Sequence, residues 1–124
     1  LSGMNMSLNE LLKFRNYSHK FYEGTVTTVE VDTKDDPFDV GPFKEATFFL
    51  SCTAFAGTTL NVKFVQYDPA TGVWFDLVSF TELSDVGAEV KVQAANLGEK
   101  VAVVIAPVGA GDKVLKVGSN FKIM

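Results

Sequence analysis

The chain has 124 residues, 47% hydrophobic and 21% charged, with a formal net charge of −4. This is the length and composition of one globular domain, able to bury roughly two-thirds of its surface. A single Cys and a single His exclude a disulfide framework and a zinc site of several Cys and His ligands, and the acidic balance argues against nucleic-acid binding through a basic face.

The chain opens Leu1-Ser2-Gly3-Met4, without the apolar run of a signal peptide. Ser7-Leu8-Asn9-Glu10 has capping-box form, and Leu8, Leu11 and Leu12 follow at helical spacing, so a short helix is expected from Leu8 to Asn16. Its apolar stripe is narrow and needs something to dock on. An aromatic stretch of Phe14, Tyr17, Phe21 and Tyr22 runs to Gly24. Residues 1–24 therefore read as an N-terminal arm or helix, laid over one end of a sheet or anchored to a neighbouring subunit. Residues 25–124 read as the folded domain.

From Thr25 the period changes to that of strands. Thr25 to Val31 is rich in β-branched residues, and Asp32 to Gly41 is a loop with Asp35, Asp36 and Asp39. From Ala46 to Phe55, Phe48, Leu50, Cys52 and Ala54 alternate toward a core, leaving Phe49 and Phe55 on the opposite face. Thr59 to Tyr67 follows a short turn with Leu60, Val62 and Phe64 inward, and the two strands read as a hairpin. Asp68 to Gly72 is a compact turn, with Pro69 suited to its second position and Gly72 to a positive φ. Val73 to Phe80 carries Trp74, Phe75 and Leu77. Ala88 to Ala94 alternates Val90 and Val92 with Glu89, Lys91 and Gln93, as a half-buried strand does. Lys100 to Val108 is continuously apolar and reads as a central strand buried on both faces. Lys113 to Met124 closes the chain, with Gly118-Ser119-Asn120 suggesting a bulge.

Seven or eight strands with turns every eight to twelve residues define an all-β, antiparallel β-sandwich of jelly-roll or immunoglobulin-like type. Little in it suggests catalysis. The acidic loop at Asp32–Asp39 lacks the order of a calcium loop, His19 has no nucleophile motif beside it, and Cys52 sits at a core position. No cofactor or metal is expected, and no apolar run is long enough for a membrane span. The second-face aromatics Phe49, Phe55, Tyr67 and Phe75 suit an oligomer interface, a sugar-stacking platform, or a face covered from within the chain.

The stretch Leu60-Asn61-Val62-Lys63-Phe64-Val65-Gln66, with Asp68, Gly72, Trp74 and Asp76-Leu77, resembles a pattern in small β-sandwich virion proteins of tailed bacteriophages. There a strand leads through an Asp/Gly turn into a Trp-x-Asp-Leu segment. The resemblance spans Ala46 to about Phe121. It implies a non-enzymatic structural protein of the virion: a capsid decoration protein that binds the major capsid protein, or a tail or neck component. Symmetric self-association, for instance as a trimer, is expected from the aromatic second face and the arm. The rival expectation is a carbohydrate-binding module. In the hairpin itself, Asp68 and Gly72 shape the turn, Trp74 supplies buried area, and Asp76 caps the turn or pairs with Lys63.

Overall fold

The computed structural model describes residues 16–41, 43–94 and 97–123. Among these, nine strands form: β1 (Asn16–Val26), β2 (Val31–Asp32), β3 (Phe38–Asp39), β4 (Glu45–Phe55), β5 (Thr59–Asp68), β6 (Val73–Ser79), β7 (Gly87–Ala94), β8 (Lys100–Val108) and β9 (Lys113–Lys122). All pairings are antiparallel. Sheet A has the order β1-β9-β4-β7, and sheet B the order β2-β8-β5-β6 with β3 also on β8. With β2 and β3 taken as two pieces of one strand, eight strands wind between the sheets as a jelly roll, which decides between the two sandwich types expected.

The core is the pleat alternation of both sheets. Phe48, Leu50 and Cys52 of β4 face Val62 and Phe64 of β5, with Val101, Val103 and Ile105 of β8 and Leu115, Val117 and Phe121 of β9 in the same cluster. Phe48 and Phe64 stack at 4.1 Å between centroids, joining the two sheets. Full burial of each such ring contributes about 1.5–3 kcal/mol. Strand β8 is buried on both faces as expected, because Ala102 and Val104 form a second small cluster with Val65 under Trp74 on the outside of sheet B.

Five local expectations are corrected. Tyr17, Phe21 and Tyr22 lie in β1, so the boundary drawn at Gly24 falls inside a strand. Their backbone groups pair with β9 from Asn16↔Lys122 to Val26↔Lys113. The helix expected over Leu8 to Asn16, with Leu11, Leu12 and Phe14, otherwise lies outside the described residues. Strands β4 and β5 are not a hairpin: they belong to different sheets, and residues 56–58 cross between them. The bulge expected at Gly118 sits instead on the facing strand, where Phe21 is the extra residue between Lys20↔Gly118 and Tyr22↔Val117. It turns Phe21 and Tyr22 both toward the core. A second bulge between Cys52 and Ala54 reverses the pleat of β4, so Ala54 is exposed and Phe55 packs on the core.

The fifth correction concerns β7. Its register with β4 places Glu89 opposite Leu50 and Lys91 opposite the buried Phe48, and Val90 opposite the exposed Phe49. Val90 and Val92 are therefore on the outside, 53% and 60% exposed, and the polar members of the alternation are on the core side. Among the described residues the strand is one of the two edges of sheet A. Facing polar groups into the sandwich is tolerable there because Glu89 finds partners in the β6–β7 connection: Oε2 accepts from the Thr81 amide at 2.8 Å and Oε1 from its hydroxyl at 3.1 Å.

Candidate interaction face

The outer face of sheet A brings together residues from four strands. One cross-strand row runs Lys20–Gly118–Phe49–Val90, and the next runs Ser18–Asn120–Thr47–Val92. Gly118 has no side chain to fill its place in the first row. An open groove of about 780 Å³ results, lined by Lys20, Lys116, Gly118, Phe49, Ser51 and Val90. Phe49 is 46% exposed beside it. The two lysines form the basic side of the groove, and Glu23 bridges them, 3.0 Å from Lys20 and 3.7 Å from Lys116. The hydrogen bond and charge of Lys20, then the charge of Lys116, hold the Glu23 carboxyl below its ordinary range. The result is an apolar strip over β4 and β7 next to a charge-compensated margin over β1 and β9.

The other expected interface aromatics do not join Phe49. Tyr67 and Trp74 are cross-strand neighbours on the outside of sheet B, 5.3 Å apart with planes at 55°. Trp74 is half-buried over Val65, Ala102 and Val104. Phe75 pairs with Gln66 on the opposite side of the pleat and is exposed at the β6 margin. Phe55 packs on the core. The four residues lie on different surfaces, and Tyr67 and Trp74 are too inclined to make a flat sugar platform.

Tyr17 and Phe21, expected to anchor an arm, close one side of their own sandwich with His19. Tyr17 stacks on Phe38 at 5.5 Å, His19 stacks on Phe38 at 4.1 Å, and Phe21 meets Phe64 edge-on at 4.9 Å. Tyr22 packs on the core beside them, and its ring occupies space left by Gly24. Burial pushes the His19 imidazole below its ordinary pKa, with Asp36 opposing. Cys52 is buried, its Sγ donates to the Ala54 carbonyl at 3.3 Å, and burial pushes the thiol up, opposite to what a nucleophile needs.

The β5–β6 turn has the geometry its sequence indicates. Asp68 accepts from the Ala70 amide at 3.1 Å and from the Thr71 hydroxyl at 2.8 Å, while the Gly72 amide donates to the Asp68 carbonyl. Gly72 takes a φ of 70°. The Thr71 hydroxyl, then the Ala70 amide, lower the Asp68 pKa. Asp76 pairs with Lys63 at 3.0 Å. In the acidic loop, Asp32 accepts from the Lys34 amide and Asp39 from the Gly41 amide, both as turn contacts. Among the described residues no group of three or more His, Cys, Asp or Glu could hold a metal ion.

One polar residue escaped the sequence reading. Lys113 is fully buried at the start of β9. Its Nζ donates to the carbonyls of Gly109, Thr27 and Gly111 at 2.9, 3.1 and 3.2 Å and lies 5.6 Å from the Phe55 ring centroid. A Lys opening a strand between turn residues looks solvent-facing in sequence; only the crossing of three loops at one point buries it.

The fold and this face define an antiparallel jelly-roll sandwich with an exposed apolar strip on one sheet. No family model matches the chain, and no curated protein matches it. Among solved structures it is similar to the SPBc2 prophage-derived protein YomS, at 19% identity and a TM-score of 0.51, covering 86% of this chain and 91% of that one. It is also similar to the structure described for Bacillus endospore appendages, which form disulfide-linked pili, at 8% identity and a TM-score of 0.55, covering 86% and 87%. At these identities the likeness is one of fold.

Proposed function

We propose that this chain is a non-enzymatic structural protein of a phage-like particle, and specifically a decoration protein that binds the major capsid protein on the outside of the assembled shell. The observation that carries the reading is the apolar strip of Phe49, Val90 and Val92 on the outer face of sheet A, placed on a jelly roll. A prophage-derived protein with a similar fold supports the setting, as does the hairpin pattern at Leu60–Leu77. A protein of this kind works by contact: it binds assembled shells and not free subunits, and so adds its binding free energy to the assembled state alone. Many weak copies suffice where the lattice presents many equivalent sites.

The test is quantitative mass spectrometry of particles purified from the native source. A copy number near that of the major shell protein, or a simple fraction of it, is the expected result. A handful of copies per particle moves the chain to the neck or tail, and absence from particles overturns the virion reading.

A further inference from the structure

The free edge of β7 carries a pattern that matches itself. Sheet A ends at β7, and among the described residues no strand pairs with its outer side. Such an edge offers unpaired amide and carbonyl groups, and an inward-pointing charge is one of the devices by which proteins blunt it. Here two opposite charges alternate on the core side, Glu89 and Lys91, with their groups 3.2 Å apart. A lone inward lysine repels its own copy. An alternating Glu/Lys pair does not, because an antiparallel two-fold turns the sequence around and sets each sign against the other.

We propose that two copies of this chain pair through their β7 edges, antiparallel, with the two-fold axis at Val90. In this register Val90 lies opposite Val90 of the second copy, Glu89 opposite Lys91, and Ala88 opposite Val92. The inner side then holds two equal ion pairs, and the outer side is apolar along the whole contact. Shifting the two-fold by one residue to Lys91 puts like charges opposite each other; a shift to Glu89 does the same. The charge pattern selects the Val90 register from its neighbours. The joined sheets form one eight-stranded surface on which the row Phe49–Val90 continues into Val90–Phe49 of the second copy, doubling the apolar strip. An isologous contact closes at two copies, so this edge gives a dimer and not a trimer. The pairing stands apart from the particle reading, since it is a property of the chain in solution.

Two measurements on the full chain test it. Sedimentation equilibrium of Glu89→Lys and of Lys91→Glu, each alone, is expected to show dimerisation weakened by at least about tenfold, because each sets like charges opposite one another twice. An equimolar mixture of the two variants is expected to recover the dimer, since opposite charges then face each other on both sides of the axis. A structural role for Glu89 through Thr81 gives no such recovery. Mild oxidation of Val90→Cys is expected to yield a cross-linked dimer, because residues directly opposite lie about 4.5–5.5 Å apart between Cα atoms, within disulfide reach. Val92→Cys, opposite Ala88, is expected to stay uncross-linked, and buried Cys52 is expected to remain silent. A wild-type chain that is monomeric at high concentration overturns the proposal. So does cross-linking that is equal at both positions, or a mixture no more dimeric than its components.

Discussion

Lys113 donates from Nζ to the carbonyl oxygen of Gly109 at 2.9 Å, across the turn that separates β8 from β9. The same ammonium takes in the Thr27 and Gly111 carbonyls, so one side chain ties the end of β1, the β8–β9 turn and, through Phe55, the end of β4. It acts as a buried cation coordinated by backbone. Replacing it with Met keeps the stem and leaves three carbonyls without their donor. Lys113→Met is expected to cost about 3 kcal/mol, read as a lower urea midpoint at unchanged slope. Gly57→Ala is expected to cost about 1–2 kcal/mol, because Gly57 has a φ of 119° and a Cβ there meets the Lys113 Nζ at 2.6 Å.

The stability of the fold is expected to fall on mild acidification. His19 has a pKa below its ordinary 6.5 because burial penalises the imidazolium. The unfolded chain then binds more protons than the folded one between the two values. The His19 contribution is complete above about pH 6.5 and is lost as pH falls through the folded-state value. His19→Gln is expected to flatten this part of the stability curve, measured by denaturant unfolding between about pH 7 and about pH 5. Glu23 and Glu89 act in a later window. Lys20 and then Lys116 lower the Glu23 pKa. Burial raises that of Glu89, but hydrogen bonds from Thr81 and Lys91 outweigh it, and the net shift is downward. Their stabilisation is present above the ordinary carboxylate value and disappears as pH falls through the lowered ones.

Trp74→Ala is expected to destabilise by about 2–3 kcal/mol, less than removal of a fully buried indole, since Trp74 is only half-buried. The loss comes from uncovering Val65, Ala102 and Val104. Thermal unfolding checks it. Retention on insoluble glycans is expected to be absent in both the parent chain and the variant; retention lost with Trp74 revives the sugar-binding reading.

The outer face of sheet A separates stability from binding. Phe49→Ser is expected to leave stability within about 0.5 kcal/mol and to abolish sedimentation with shells, since Phe49 is exposed. Gly118→Ala is expected to stabilise by about 0.5–1 kcal/mol, because a Cβ there meets nothing closer than the His19 carbonyl at 3.5 Å. The added methyl projects into the groove and is expected to weaken shell binding. Co-sedimentation with shells lacking this protein, beside urea unfolding, reads both effects.

Strands whose alternation is set by their own residues were legible in sequence. Phe48, Leu50 and Cys52 had to point one way together, and the Asp68–Gly72 turn carries its chemistry within five residues. The errors share a different cause. Val90 and Val92 sit in a pattern equally consistent with either face, and the register of β7 on β4, not the pattern, chooses. The reversal at Ala54 comes from a bulge opposite β9, and the placement of Tyr17, Phe21 and Tyr22 from pairing with a strand about a hundred residues away. Aromatic content marked residues 14–22 as important without showing whether they pair, coil or reach outward. The candidate face was legible only in Phe49; Gly118 and Val90 joined it through cross-strand neighbours that no local signal encodes.

The position of β9 between β1 and β4 sets the order of events during synthesis. Among the described residues, until β9 has been made β1 has no hydrogen-bonding neighbour, and β4 has only the edge strand β7. Sheet B meets no such delay, since β5, β6 and β8 precede β9. A chain that stops before β9 therefore lacks the central partner of sheet A, while the β8-β5-β6 part of sheet B is complete. Unpaired strand edges and uncovered apolar surface of this kind favour aggregation. Stop codons placed before and after residues 113–122 would produce chains that differ sharply in solubility for this reason.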